Sequence, residues 1–185
     1  KERTDSEPSI YDNDEIFLVS SGDNIEREKL IIAFNGYIID NNSTPEAYIA
    51  EKYREHGKDF IKKINGQFRL IIYDTEEKKF YVSSDKTGRK VIYYAQTGED
   101  FQFSSHLKPL ISHPEIEPEI NPNGISDILK GWSASFGGGE RLIKGVKRLE
   151  PSHIISYDGK KPDKEKFWEV YGEKQSISDE KAVER

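Results

Sequence analysis

The stretch that most constrains this chain runs from Ile64 to Asp85. Ile64-Asn65-Gly66-Gln67-Phe68-Arg69-Leu70-Ile71-Ile72-Tyr73-Asp74 is rich in β-branched and aromatic residues, and Phe80-Tyr81-Val82-Ser83-Ser84-Asp85 is a second such run after the polar Asp74-Thr75-Glu76-Glu77-Lys78. Two β-rich runs joined by a polar turn predict an antiparallel hairpin, and the first is apolar enough to lie between two covering layers. The hairpin therefore reads as core rather than as a site.

The rest of the chain supplies the covering layers. Lys1 to Pro8 is polar and expected to fray, Glu15 to Ser20 reads as a strand, and Ser21-Gly22-Asp23-Asn24 turns it. Lys29 to Phe34 is a further apolar run, expected to stop at Asn35-Gly36, a pair suited to a turn with positive φ, with Tyr37-Ile38-Ile39 continuing beyond. Ser43-Thr44-Pro45-Glu46 predicts a helix start: a hydroxyl cap, a proline whose missing N–H does no harm there, and an acid at the positive helix end. Ile49, Tyr53, Phe60, Ile61 and Ile64 then recur at roughly helical spacing across a break at Gly57, giving two short helices. Val91 to Tyr94 and Phe101 to Ser104 form a second hairpin. Leu107, Leu110 and Ile111 suit a short helix, and Asn121-Pro122 opens another with Ile125, Ile128 and Leu129. Gly137-Gly138-Gly139 reads as a flexible loop, Ile154 to Tyr157 as a late strand closed by Asp158-Gly159, and Phe167-Trp168 as a terminal anchor.

Composition narrows the functional classes. A chain of 185 residues suits one domain with a real core. Hydrophobic and charged residues each make up 34%, and no apolar run approaches membrane-spanning length, so no membrane partner is expected. A formal charge of -6 argues against general nucleic-acid binding. With no cysteine, this chain has no disulfide, no thiolate nucleophile and no cysteine metal site, and the scattered His56, His113 and His153 lack metal-ligand spacing. The chain opens on Lys1 and contains no methionine, as expected of a trimmed product or a fragment, and no signal peptide is visible. A cytoplasmic location is expected.

One ordered set of residues is distinctive: Phe34-Asn35-Gly36, Tyr53-Arg54-Glu55-His56-Gly57, Phe60 through Phe68, Tyr73-Asp74, Ser84-Asp85-Lys86-Thr87-Gly88-Arg89-Lys90-Val91-Ile92-Tyr93-Tyr94 and Phe101 through Leu110. In this order they resemble the N-terminal class II glutamine amidotransferase domain of the asparagine synthetase family. The resemblance covers roughly Lys29 to Trp168 and includes Gly145 through Pro151. It implies an α+β fold, the Ntn-hydrolase four-layer αββα sandwich of two antiparallel sheets covered by helices. In active relatives an N-terminal cysteine attacks the glutamine side-chain amide, its own amino group acts as base, and ammonia passes to a second domain that uses ATP.

Against that pattern the departures matter most. Catalytic residues are expected to be none, for want of cysteine, and the span before Asn35 is short for the family's glutamine-gripping arginine segment. Asn35 and Gly36 match the family's oxyanion-forming pair, but Tyr37 replaces the acid that normally follows. Near the start of the first helix, where the family places an aspartate for the glutamine ammonium, this chain has Ser43-Thr44-Pro45, and a buried ammonium without a carboxylate binds poorly. Asn35, Gly36, Tyr37 and Pro45 are thus expected to outline a vestigial oxyanion or ligand pocket, with an ordinary Asn-Gly turn as the structural alternative. Ser104-Ser105-His106 is not expected to act as a nucleophile pair, because neighbours on an element rarely face each other and no orienting acid is evident. Ser135 to Glu140 lacks the Gly-Lys-Ser/Thr of a phosphate loop. Lys86, Arg89 and Lys90 beside Tyr93 and Tyr94 read as a solvated turn or an anion contact. Arg141, Lys144, Lys147 and Arg148 form a basic stretch, which in family terms faces a second domain.

The expectation is a noncatalytic glutaminase-like domain over residues 1–171 that shapes an adjoining ATP-dependent amide-forming domain. Residues 172–185 would be a linker leading to it, with Ser178 capping its first helix. No cofactor and no metal are expected in this chain; ATP and Mg belong to the synthetase domain, and a homodimer is an open alternative. Family members that make β-lactam rings resemble this pattern, with the fold kept and the cysteine gone. Two other readings stand beside it: an active glutaminase whose cysteine lies upstream of Lys1, and a sensor whose altered pocket takes another small amide or amino acid.

Overall fold

In the computed structural model the residues described are 9–12, 16–20, 25–27, 29–39, 43–98, 100–129, 139–140 and 142–169. In chain order they form β1 (Ser9–Asp12), β2 (Phe17–Ser20), β3 (Ile25–Arg27), β4 (Leu30–Ile38), α1 (Pro45–His56), a 3-10 segment (Gly57–Lys63), β5 (Gly66–Asp74) and β6 (Lys79–Ser84). There follow β7 (Tyr93–Thr97), β8 (Asp100–Ser104), α2 (Leu107–Ile111), α3 (Pro122–Leu129), β9 (Gly139–Glu140), β10 (Lys147–Arg148), β11 (His153–Tyr157) and β12 (Asp163–Lys166).

The predicted hairpin is the centre of the larger sheet. β5 and β6 pair antiparallel from Arg69–Ser84 to Asp74–Lys79, within the strand order β12-β11-β6-β5-β4-β3. Alternation along the strands then builds two cores. Ile32 and Phe34 of β4 and Leu70 and Ile72 of β5 point to one face, where Ile49, Ala50 and Tyr53 of α1 cover them. Ile31, Ala33 and Tyr73 point to the other, where they meet the half-buried Phe103 of the smaller sheet, ordered β8-β7-β10-β9. Val82 and Ile155 continue that inter-sheet layer with Ile92 and Leu149. On the outer side of the smaller sheet, Ala95 and Val146 are covered by Leu110 of α2 and by Ile116. The layers are helix, sheet, sheet, helix, as expected. Each fully buried aliphatic side chain in them contributes roughly 1.5–3 kcal/mol.

The start of α1 also follows the sequence. Thr44 Oγ1 accepts from the Ala47 N–H at 3.4 Å, and Pro45 takes the first turn. At the other end Gly57, with φ 56°, turns the chain into the 3-10 segment while its N–H bonds to the Tyr53 carbonyl.

Three expectations need correction, and one strand has no counterpart among them. β4 does not stop at Asn35-Gly36 but runs unbroken to Ile38 against β5. Gly36 has the anticipated positive φ, 143°, yet the residue serves a close strand approach rather than a turn. The unexpected strand is β12, whose four residues are all charged and carry no apolar alternation, because an edge strand does not need an apolar face. Val91 and Ile92 precede their strand rather than open it, and Gly139 lies in the short β9. The expected fraying of residues 1–8, the 21–24 turn, Gly137-Gly138 and the 172–185 linker with Ser178 fall outside the described residues.

Two buried carboxylates tie the hairpin to its surroundings. Asp74 ends β5: Oδ2 accepts from the Tyr53 hydroxyl of α1 at 2.9 Å, and Oδ1 accepts from the Glu76 and Glu77 N–H groups of the turn at 2.9 Å each. Burial pushes the Tyr53 hydroxyl pKa far up, so it stays a donor. Asp85, fully buried, follows β6 and organises residues 85–90. It accepts from the Thr87 hydroxyl at 2.7 Å and N–H at 2.9 Å, and from the Arg89 and Lys90 N–H groups at 3.2 and 3.1 Å. Burial works against its charge, but the Thr87 hydroxyl and the Lys90, Arg89 and Thr87 N–H groups together hold its pKa below the ordinary 3.8.

A depressed native pKa contributes stability that is complete above the unfolded value and is lost as pH falls through the native one. Asp85→Asn should therefore cost about 2–4 kcal/mol at pH 7 in urea unfolding, with the difference from the unsubstituted chain narrowing below pH 3.8. Leu70→Ala, at a position with no exposed surface, should cost about 2–5 kcal/mol in the same assay at every pH.

Candidate functional site

The site begins with the register of β4 on β5. Asn35 lies opposite Arg69, Gly36 opposite Phe68 and Tyr37 opposite Gln67. Because side chains alternate, Asn35 continues the inter-sheet row of Ile31 and Ala33, and Arg69 continues that of Tyr73 and Ile71. The two polar residues thus stand where the apolar layer between the sheets gives out. Arg69 Nη2 donates to Asn35 Oδ1 at 2.9 Å. With its oxygen engaged, the Asn35 amide keeps its nitrogen as a donor.

A cleft of about 390 Å³ opens at this point, lined by Asn35, Arg69 and, from the end of β8 onward, Ser104, Ser105 and His106. Its apolar wall includes Ile71, Ile92 and Phe103, and Phe17 and Val19 of β2, themselves exposed, also line it. Burial pulls the Arg69 guanidinium pKa below its ordinary value, and among the described residues no carboxylate pairs with it. A second polar contact runs across the chain end of β8. Ser105 Oγ and His106 Nδ1 are 2.8 Å apart and the His106 N–H donates to Ser104 Oγ at 3.1 Å. The expectation that these neighbours would not meet is therefore overturned, because the chain bends between β8 and α2. No carboxylate among the described residues bonds to the His106 ring, so the pair lacks the orienting acid of a hydrolytic triad.

Of the four predicted pocket residues only Asn35 lines this cleft. Gly36 belongs to the strand position beside it, Tyr37 is 51% exposed, and Pro45 sits half-buried in the first turn of α1. Thr44, near the place where an ammonium-binding aspartate would stand, is engaged as the helix cap.

The basic residues divide as well. Arg148 is 3% exposed and its Nη2 donates to the Gly88 carbonyl at 3.2 Å, so it braces the Asp85 turn from inside instead of presenting a charge to a neighbouring domain. The Arg89 and Lys90 N–H groups are held by Asp85, which fills the place of any anion at that turn. Lys86 Nζ donates to Asn65 Oδ1 at 2.6 Å. Lys147 is exposed on β10, opposite Tyr94, and Arg141 lies outside the described residues. Among the described residues no three His, Asp or Glu side chains gather as a metal site, and no helix is long and apolar enough to cross a membrane. Arg69 is the site residue that sequence reasoning missed. The available signal was a lone cation two residues from Ile71 on one face of an otherwise apolar strand.

Two face-to-face antiparallel sheets between helices, with an Asn-Gly pair at the open edge of the inter-sheet layer, form the four-layer sandwich expected from the sequence. A family model described as a glutamine amidotransferase domain matches residues 8–168, and the chain belongs to that family. Asparagine synthetase [glutamine-hydrolyzing] 3 of Bacillus subtilis is 25% identical over 170 residues, covering 91% of this chain and 27% of that protein. Putative asparagine synthetase [glutamine-hydrolyzing] 2 of Methanocaldococcus jannaschii is 26% identical over 192 residues, covering 96% of this chain and 37% of that protein. Among solved structures, glutamine phosphoribosylpyrophosphate amidotransferase from B. subtilis, complexed with ADP and GMP, superposes with a TM-score of 0.47 at 15% identity, over 75% of this chain and 29% of that one. The chain is thus similar to glutamine amidotransferase domains of asparagine synthetase-like proteins and spans about a third or less of the length of the first of these relatives.

Gly36 anchors the arrangement. A Cβ there would lie 2.0 Å from the Gln67 carbonyl oxygen, a backbone atom that cannot swing aside. Gly36→Ala should cost about 2–4 kcal/mol in urea unfolding and shift the amide resonances of Asn35 and Arg69, while leaving those of α2 in place.

Proposed function

We propose that this domain does not hydrolyse glutamine and serves an adjoining ATP-dependent amide-forming domain as a packing and regulatory unit. The observation that carries the reading is the amidotransferase layer order, among the described residues, in a sequence whose 185 residues include no cysteine. Two residues outside the cleft support it. Thr44 is a helix cap rather than a carboxylate partner for the substrate ammonium. Tyr37 brings an exposed ring where the family carries an acid.

In this reading the domain spans residues 1–171 and residues 172–185 lead toward its partner. ATP and Mg act in that partner, and the setting is the cytoplasm. Exposed Lys147 on β10 and the Arg89 side chain are the basic groups offered for the contact between domains. The buried Arg148 supports the turn beneath them.

The purified chain incubated with glutamine should release no ammonia above the buffer blank in a coupled glutamate dehydrogenase assay. Sustained release that scales with protein concentration would overturn the reading.

A further inference from the structure

The cleft between the sheets carries a feature that an inert relic does not need. Arg69 is half-buried at the mouth of a mostly apolar cleft, where its guanidinium is less fully hydrated than on an open surface and an anion that faces it binds more strongly. Arg69 has one neutral acceptor, the Asn35 side-chain oxygen at 2.9 Å, and no carboxylate among the described residues. Elsewhere the chain pairs its cations readily: Lys58 meets Glu165 at 3.1 Å and Lys164 meets Glu150 at 2.7 Å. With a formal charge of -6, carboxylates are abundant, yet Arg69 is paired with none of those described.

We propose that the inter-sheet cleft at Arg69 and Asn35 is a binding site for a small monocarboxylate with an apolar body. The carboxylate lies against the Arg69 guanidinium, a planar fork suited to two parallel hydrogen bonds, and takes a third from the Asn35 amide nitrogen. That nitrogen is directed to donate because the amide oxygen is held by Arg69. The hydrocarbon body of the ligand packs on Ile71, Ile92 and Phe103, with Phe17 and Val19 of β2 beside it. The cleft volume of about 390 Å³ holds a ligand of phenylacetate size, with one charged contact and a wall that is otherwise mostly apolar. A single cation suits a single carboxylate, and no Asp or Glu lines the cleft to pair with an α-ammonium. The site therefore selects organic acids over amino acids. Arg69 lies on β5, inside the apolar run, and not in the segment before Asn35 where the family resemblance places its glutamine-gripping arginine.

This inference rests on the reading that the cleft no longer turns over glutamine, and the two can fail separately. Phenylacetate is titrated into the purified chain, followed by calorimetry and by the amide resonances of Asn35, Arg69 and Ser105, with phenylacetamide, glutamine and inorganic phosphate titrated in parallel. The expected result is saturable binding of phenylacetate that shifts those resonances, with the neutral amide, glutamine and phosphate weaker by roughly tenfold or more. Arg69→Gln should abolish the preference for the acid over its amide, and Arg69→Lys should restore part of it. An Arg69→Gln chain whose thermal midpoint falls by more than a few degrees is replaced by Asn35→Ala, which should weaken phenylacetate roughly fivefold while the backbone is kept. Equal binding of acid and amide, tighter binding of glutamine, or phenylacetate affinity unchanged in the variants would overturn the proposal. Ammonia measured in the glutamine sample reports separately on the noncatalytic reading.

Discussion

The close approach of β4 to β5 at Gly36 is the constraint on which the rest of the molecule turns. With a side chain at that position the Gln67 carbonyl would be displaced, so glycine alone lets the pairing run unbroken from Leu30–Asp74 to Ile38–Gly66. That register sends Ile32, Phe34, Leu70 and Ile72 toward α1 and Ile31, Ala33, Ile71 and Tyr73 toward the second sheet. A one-residue slip would exchange these faces. It would also separate Asn35 from Arg69, whose contact exists because the two residues lie directly opposite each other.

Much of this could be read before the structure. The β5–β6 hairpin, the Thr44-Pro45 start of α1 and the β7–β8 hairpin follow from period-two alternation and local turn and cap chemistry, which act over a few residues. At Asn35-Gly36 local sequence leaves two outcomes, because a positive φ at glycine serves either a turn or a tight strand contact, and only the partner strand decides which. β12 was invisible because Asp163-Lys164-Glu165-Lys166 has no buried face, and its pairing with β11 is made by the backbone.

Charge was the least legible property. Arg148 and Arg69 both look like surface residues in a sequence, yet one is buried beneath the Asp85 turn and the other reaches into the cleft between the sheets. Asp85 shows the opposite case: a carboxylate in a charged turn is the internal anion around which that turn is built. Which charges lie inside depends on contacts made across 60 residues of chain, as between Arg148 and Gly88, and local pattern does not record them. The candidate site was legible as far as Asn35 and no further, since its other polar members come from β5 and from the end of β8.

The picture that results is an amidotransferase domain whose polar cleft sets an arginine and an amide against an apolar wall. A crystal structure of the chain grown with phenylacetate tests that picture most directly. The account predicts carboxylate density within hydrogen-bond distance of both Arg69 and the Asn35 amide nitrogen, with the ring against Ile71 and Phe103. An empty cleft with Arg69 turned out to solvent, or glutamine bound there in a parallel soak with its side-chain amide at Asn35, would contradict it.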